Sequence, residues 1–403
     1  MGLGQLGYCL AVVGLIQFLP DLGLDAVMRH DILQNPRRTS SILYAGLLMR
    51  FGAALVGYAM IIGIAVLILD SAVDRTMLLI LGAILFNPVG MVASSWFHSQ
   101  LNAGPAVRIQ ISVLMAGAVL RVGLVVLGAP VVAFAGAITA EFLVAGVWTF
   151  LLASSSGMPA LKGAFDPFGA GSLLRRAAPL LLASFSVLVC SKIDIILIKA
   201  LLGEVAAGHY VGACRLSESW YPMVAAITMS MLPRLVSLRI GNRDNHFRAS
   251  RAVLDYSVIL SLLFVVPVAL GANWIVVLLY GEAFSPAGSV LRIHIWTVLF
   301  LFLASARNQW VITEGLTRLL LPISLLTVLT NLVLDLALIP SFGITGAAWG
   351  TLAAFALASV VSTLAWKATR AYGVMQVKAV LWPWSGLVWL LNGIFWIKRG
   401  RPR

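Results

Sequence analysis

Charge is what this 403-residue chain has least of: Asp, Glu, Lys and Arg together make up 11% of it, against roughly 25% in a soluble domain. Hydrophobic residues make up 61%, and a water-soluble fold of that composition would have nowhere to put its surface. Cysteine is almost absent as well. Cys9, Cys190 and Cys214 all fall in apolar runs, where a thiol behaves as a small hydrophobe, and no zinc-type Cys/His spacing occurs. His30, His98, His209, His246 and His294 are scattered singly, a pattern that fits packed or solvated rings better than catalytic ones. No nucleophile and base pair, two-metal arrangement or phosphate loop stands on any connection. The expectation is a chain with no catalytic residue, metal or cofactor. The net charge of +13 forms no dense basic stripe, which argues against a nucleic-acid partner.

What is abundant is the apolar run of about 20 residues, the length that crosses a hydrocarbon layer of about 30 Å. Such runs recur along the whole sequence, so a signal peptide does not explain them. They predict an all-α polytopic membrane protein of about 12 transmembrane helices, at 3–19, 43–69, 77–97, 107–128, 131–153, 178–200, 207–233, 252–280, 288–312, 319–339, 343–366 and 381–397. Basic residues support that division. The odd-numbered connections carry nearly all the Lys and Arg between spans, from Arg29, Arg37 and Arg38 to Lys367, Arg370 and Lys378, whereas the intervening ones carry Arg75. The odd connections are therefore expected to be cytoplasmic. The segment 234–251, with Arg234, Arg239, Arg243, Arg248 and Arg251, reads as an anchor to anionic lipid heads. The last segment, rich in Trp382, Trp384, Trp389 and Trp396, has an interfacial composition, and its topology is open.

The sequence also repeats itself. Tyr8, Ala11 and Pro20 recur as Tyr210, Ala213 and Pro222, and Pro130, Gly136 and Ala137 recur as Pro340, Gly346 and Ala347. The two sets appear in the same order at nearly the same offset, which reads as a duplicated bundle, two parallel-repeat lobes. The span at 178–200 precedes the second set, and its counterpart would lie before Met1. The sequence is thus expected to lack the first helix of its first lobe. The division that follows is an N-lobe over 1–153, a cytoplasmic connection over 154–177, a six-helix C-lobe over 178–366, and a basic loop with a terminal hydrophobic segment over 367–403.

Charges inside membrane helices cost about 2.5–3.5 kcal/mol each on insertion scales, so those present are functional candidates. Arg50, Arg121, Lys192, Arg215, Lys199 and Arg307 are basic, and Glu141, Asp194, Glu218 and Asp335 are acidic. Arg50 lies seven residues into its span, about 10 Å along the axis, and Arg121 lies deeper, so both are expected to line a cavity, as is Lys192. Lys199 and Arg307 sit near span ends, where they are expected to reach the headgroups, with a place in the substrate-binding cavity as the alternative. Arg215 and Glu218, three apart, can pair on one helix face. Asp194 points away from Lys192 and Lys199 and is expected to brace a neighbouring helix; Asp335 is expected to bond a neighbouring helix end. The four acids are the candidates for ion coupling or for structural pairing.

The chain at this point resembles a known family, the polysaccharide and O-antigen flippases (Wzx-like) of the MATE-like multidrug/oligosaccharidyl-lipid/polysaccharide exporter superfamily. The resemblance rests on Leu3-Gly4-Gln5-Leu6-Gly7-Tyr8, Asp21-Leu22-Gly23-Leu24-Asp25-Ala26 with Arg29, Lys192-Ile193-Asp194 with Gly208-His209-Tyr210, Asn331-Leu332, Ile339-Pro340 and Gly343-Ile344-Thr345-Gly346-Ala347-Ala348. It implies a two-lobed helical carrier in the bacterial cytoplasmic membrane with a central cationic cavity. Its cargo would be an undecaprenyl-pyrophosphate-linked oligosaccharide, moved to the outer leaflet by alternating access. Arg50, Arg121, Lys192 and Arg215 would attract the pyrophosphate and acidic sugars. Membrane lipids, and a polysaccharide polymerase with chain-length proteins, are the implied partners. The rivals are a cation-coupled multidrug exporter of the same fold and, in another class, a membrane-embedded polysaccharide polymerase, which should carry acid/base or metal groups on a large outer loop.

Overall fold

The computed structural model of the chain describes residues 2–21, 24–100, 102, 104–161, 171, 174, 189–190, 192–224, 227 and 243–382. Among them there is no strand, and nine helical segments are long and apolar enough to cross a membrane. These nine correspond to the expected spans other than 178–200, 207–233 and 381–397, which lie partly or almost wholly outside the described residues. The segment 234–251, expected to anchor to lipid heads, is described only from Arg243. The chain divides into two compact units, Met1–Lys192 and Ile193–Arg403.

In the first unit, α1 (Gly2–Ile16) runs on through a short turn, Phe18–Asp21, to α2 (Leu24–Gln34) and α3 (Thr39–Leu67). The 29 residues of α3 extend about 43 Å at 1.5 Å each, more than a hydrocarbon layer needs. This helix is apolar all round, so what separates its faces is size. It buries Leu43, Gly46, Arg50, Ala54, Gly57, Ile61 and Ala65, spaced three and four apart, and turns Phe51, Leu55, Val56 and Met60 outward. In lipid there is little hydrophobic gain from burying a leucine, so close backbone approach through small residues drives packing instead. The same rule sets α6 (Gly104–Val126), which follows α4 (Ala72–Gly82) and α5 (Pro88–Ser99): its buried positions are Ala106, Ile109, Val113 and Gly117. The last helix of this unit is α7 (Val131–Ser155).

The span expected at 77–97 is not one continuous helix. A 3-10 turn, Ala83–Phe86, ends α4, Asn87 lies outside helical geometry, and Pro88 starts α5 at a position where its missing N–H costs nothing. Non-helical backbone at this depth persists only where protein or a wet cavity surrounds it. Here α5 meets α7 backbone to backbone: a Cβ on Gly90 would collide with Gly146 Cα, and one on Gly146 would collide with the Asn87 amide. Gly90→Ala is therefore expected to cost about 1–3 kcal/mol by overpacking. Gly52→Ala, where a Cβ meets nothing within 4 Å, should be neutral or slightly stabilising. Thermal unfolding of the two variants in detergent checks the contrast, and equal melting would remove the close-approach argument.

Residues 192–202 form α8, which belongs to the second unit from Ile193, and α9 (Glu204–Glu218), α10 (Arg243–Leu270) and α11 (Ala272–Tyr280) follow. The single span expected at 252–280 is corrected here. Helical geometry breaks at Gly271, and the stretch long enough to cross is His246–Leu270. After α12 (Ser285–His294) and α13 (Thr297–Thr313) come α14 (Leu320–Phe342) and α15 (Ile344–Ala356). The α14–α15 turn passes through Gly343 at φ 61°, a left-handed conformation that side chains disfavour. Gly346 then lies so near the Leu338 carbonyl that a Cβ would collide with it.

A π-helical turn, Leu357–Val361, continues α15. Such a turn releases carbonyls from the i→i−4 ladder and marks functional or strained places in helices. The carbonyl of Ala358 accepts a hydrogen bond from Arg307 Nη1, while Nη2 donates to Asn308 Oδ1 at 2.8 Å. Arg307 is thus buried, at 4% exposure, and does not reach the headgroups as its position near a span end suggested. The final described helix, α16 (Arg370–Leu381), is pinned to α13 by Gln376 Nε2 donating to the Leu303 carbonyl and by Trp310 stacking on Tyr372. His246 at the start of α10 lies 3.3 Å from Glu314, just past α13.

Candidate functional site

Two polar centres stand inside these apolar helices, one in each unit. In the first unit a cavity has a volume of about 550 Å³. Helices α2, α5, α6 and α7 wall it, contributing Asp25, Arg29, Asn87, Gln110, Glu141 and Phe142 among others. The broken geometry at Asn87 is what presents its amide. Gly90 and Gly146 leave the space that this amide occupies, and Gly117 of α6 leaves space for the Glu141 carboxyl, which a Cβ there would overlap.

The two arginines expected to line a cavity here have different places. Arg50 is fully buried and stands behind the wall: its Nη2 donates to Asp25 Oδ1 at 2.7 Å, and the Ser95 hydroxyl donates to the same oxygen at 2.5 Å. This joins α2, α3 and α5. Asp25 remains 45% exposed, and it is Asp25, not Arg50, that belongs to the wall. Nε and Nη1 of Arg50 find no acceptor among the described residues. Arg121 Nη1 of α6 lies 2.8 Å from Glu141 Oε2 of α7, and again the acid of the pair contributes to the wall. Lys192, half-buried, runs its stem past Gly14 of α1.

In the second unit the acids converge. Asp194 Oδ2 on α8 accepts from the Tyr210 hydroxyl of α9 and from the Thr351 hydroxyl of α15, each at 2.5 Å. Its carboxyl is in hydrogen-bond contact with that of Asp335 on α14, which also accepts from Asn331 Nδ2 at 3.1 Å. Both aspartates are buried, and Asp194 Oδ1 and Asp335 Oδ1 find no donor among the described residues. Gly350 leaves the space for Asp335, where a Cβ would overlap its Oδ1. Nearby, the Ser217 hydroxyl is 2.7 Å from His294 Nδ1, and the His294 ring meets Tyr210 edge-on. The remaining candidates lie apart from this cluster. Lys199 is 3.5 Å from Glu204, Arg215 is exposed on α9, Glu218 is half-buried on the same helix, and Arg307 is held at the π turn.

Sequence reasoning singled out the acids of the second centre, but only Glu141 among the intramembrane charges it weighed belongs to the wall of the first. Asn87, Gln110 and Phe142 carry no charge and stand in apolar runs, and only the Asn87-Pro88 dipeptide, a turn signal inside a span, marked the break.

Comparison with known proteins adds identity to this geometry. Residues 1–239 match the family described as Polysaccharide biosynthesis protein. The probable flippase AglR of Haloferax volcanii is 26% identical over 183 residues, covering 43% of this chain and 37% of that protein, so the match spans little more than a third of the curated relative. Among solved structures, an inward-facing multidrug resistance MATE family transporter of the MOP superfamily superposes with a TM-score of 0.66 at 15% identity, covering 94% of each chain. Lipid II flippase MurJ in an inward closed conformation superposes with a TM-score of 0.65 at 14% identity, covering all of this chain and 91% of that one. At such identities the likeness is one of fold. A multi-pass helical chain with more than half its length matched in this way belongs to the polysaccharide biosynthesis protein family and has the fold of the MOP-superfamily transporters.

Proposed function

We propose that the protein is a flippase that carries an undecaprenyl-pyrophosphate-linked oligosaccharide, the repeat unit of an O-antigen or exopolysaccharide, across a bacterial cytoplasmic membrane by alternating access. The observation that carries this reading is a cavity lined by Asp25, Arg29, Asn87, Gln110 and Glu141 among apolar helices, within the segment that the polysaccharide family match covers. Polar walls at membrane depth are costly unless something polar passes through them. Arg215, exposed on α9, is the predicted cation most open to a phosphate group. The carboxyl pair Asp194–Asp335 suits the driving step, because taking up or giving up one proton changes the charge of a buried cluster.

That pair also favours a second reading, a cation-coupled multidrug exporter of the same fold. The two readings differ at the cavity wall, since a site for apolar drugs is lined mostly by hydrophobic and aromatic side chains. Deleting the gene in its host is expected to abolish surface polysaccharide and leave lipid-linked repeat units accumulating on the cytoplasmic side. Glycan labelling of intact cells and extraction of lipid-linked sugars measure both. Unchanged surface polymer, with dye efflux by vesicles containing the protein, would establish the exporter instead.

A further inference from the structure

We propose that the cavity of the first unit is a glycan subsite, receiving sugar units of the cargo and not its pyrophosphate. The proposal rests on the flippase reading and assigns one part of the substrate to one part of the protein.

Charge is the first argument. A pyrophosphate calls for several converging cations, and Arg in particular for its fork of donors. Arg29 is the one Lys or Arg on this wall among the described residues. The deeply placed arginines that a sequence reading would aim at the phosphate, Arg50 and Arg121, instead face Asp25 and Glu141 at 2.7 and 2.8 Å. Each of these two arginines is matched by an acid of the wall, so neither is left open to converge on a phosphate.

The second argument is the match to sugar chemistry. A pyranose offers hydroxyls that both donate and accept, around a ring with apolar C–H faces. The wall answers with amides at Asn87 and Gln110, which donate and accept, with carboxylates at Asp25 and Glu141, which accept, and with the exposed ring of Phe142. The volume of about 550 Å³ lies in the range of small-ligand sites and accommodates a short oligosaccharide.

The third argument is that the packing reserves room for these polar groups. The Asn87 amide occupies space that a Cβ on Gly146 would take, and the Glu141 carboxyl occupies space that a Cβ on Gly117 would take. Small residues at a helix contact ordinarily admit another helix. These two admit polar side chains that belong to the wall.

The test uses the purified full chain in lipid nanodiscs and two probes: the host's repeat-unit oligosaccharide, released from its lipid by mild acid, and undecaprenyl pyrophosphate alone. Native mass spectrometry or calorimetry reads the binding of each. Gln110→Ala and Phe142→Ala alter exposed wall side chains, so the fold should hold, and an unchanged melting temperature verifies it. The double variant is expected to weaken the oligosaccharide about tenfold or more while leaving undecaprenyl pyrophosphate within about twofold. Parallel loss of both probes would identify the cavity as the phosphate site and overturn the assignment. Wild-type protein that binds undecaprenyl pyrophosphate but not the oligosaccharide would overturn the subsite alone. Binding of neither probe would count against the flippase reading itself.

Discussion

Asp25→Ala is expected to destabilise the first unit by about 3–5 kcal/mol, the cost of stranding a buried charge. Arg50 is fully buried, two of its nitrogens already lack acceptors among the described residues, and Asp25 is the acid it touches. Removing Asp25 leaves a guanidinium without water and without the carboxylate it touches, with Asp21 acting on it only through space, and the loss is a large part of the roughly 5–15 kcal/mol that holds a typical fold. The reverse change should be milder. Arg50→Met leaves Asp25 half-exposed to the cavity with Ser95 still donating to it. The double variant, Asp25→Ala with Arg50→Met, should recover most of the lost stability, because the stranded cation is gone. Thermal unfolding in detergent orders the three variants. Wild-type melting of Asp25→Ala would show that Arg50 does not depend on this pair.

Asp335→Asn is expected to reduce gradient-driven transport to background while the protein still folds and binds its cargo. Asn has nearly the same shape, yet it cannot take up or release a proton, so a coupling step that uses this carboxyl would be lost. Asp194→Asn should act in the same way, and it also replaces the oxygens that receive the Tyr210 and Thr351 hydroxyls. Tyr210→Phe removes one donor and leaves both carboxyls, so a loss of only a few fold is expected. Proteoliposomes with and without an imposed pH gradient measure all three. Full gradient-dependent transport by Asp335→Asn would rule out the acid pair as the coupling device.

Much of the helical frame was legible because each helix carries its own apolar run and its own boundary of charge, both of which a single sequence displays. The first span, expected at 3–19, falls within Gly2–Asp21, and the second, expected at 43–69, largely coincides with Pro36–Leu67. The site was less legible, because a residue's charge is visible in sequence and its neighbour is not. Arg50 and Asp25 lie 25 positions apart, on different helices, as do Arg121 and Glu141, 20 apart; read singly, both arginines look like open cavity cations. Arg307 shows a related difficulty. Its place near a span end suggested the headgroups, but a π turn on another segment offers it a carbonyl, and no periodicity announces a π turn. Asp194 was read as a brace between helices, and the structure places hydroxyls of α9 and α15 on it. Its contact with Asp335, 141 positions away, lies beyond any local pattern.

The pairing of each wall acid with an arginine behind it also bears on how such a protein can diverge. Gln110 and Phe142 touch the cavity without supporting the frame in this way, so they are free to drift as the cargo changes. Asp25 is not free to change while Arg50 stays, because its loss strands a fully buried guanidinium. Across related sequences Asp25 should be lost only where Arg50 is lost too, and a similar dependence should link Asn87 to Gly146, since its amide fits only where the glycine keeps a side chain out.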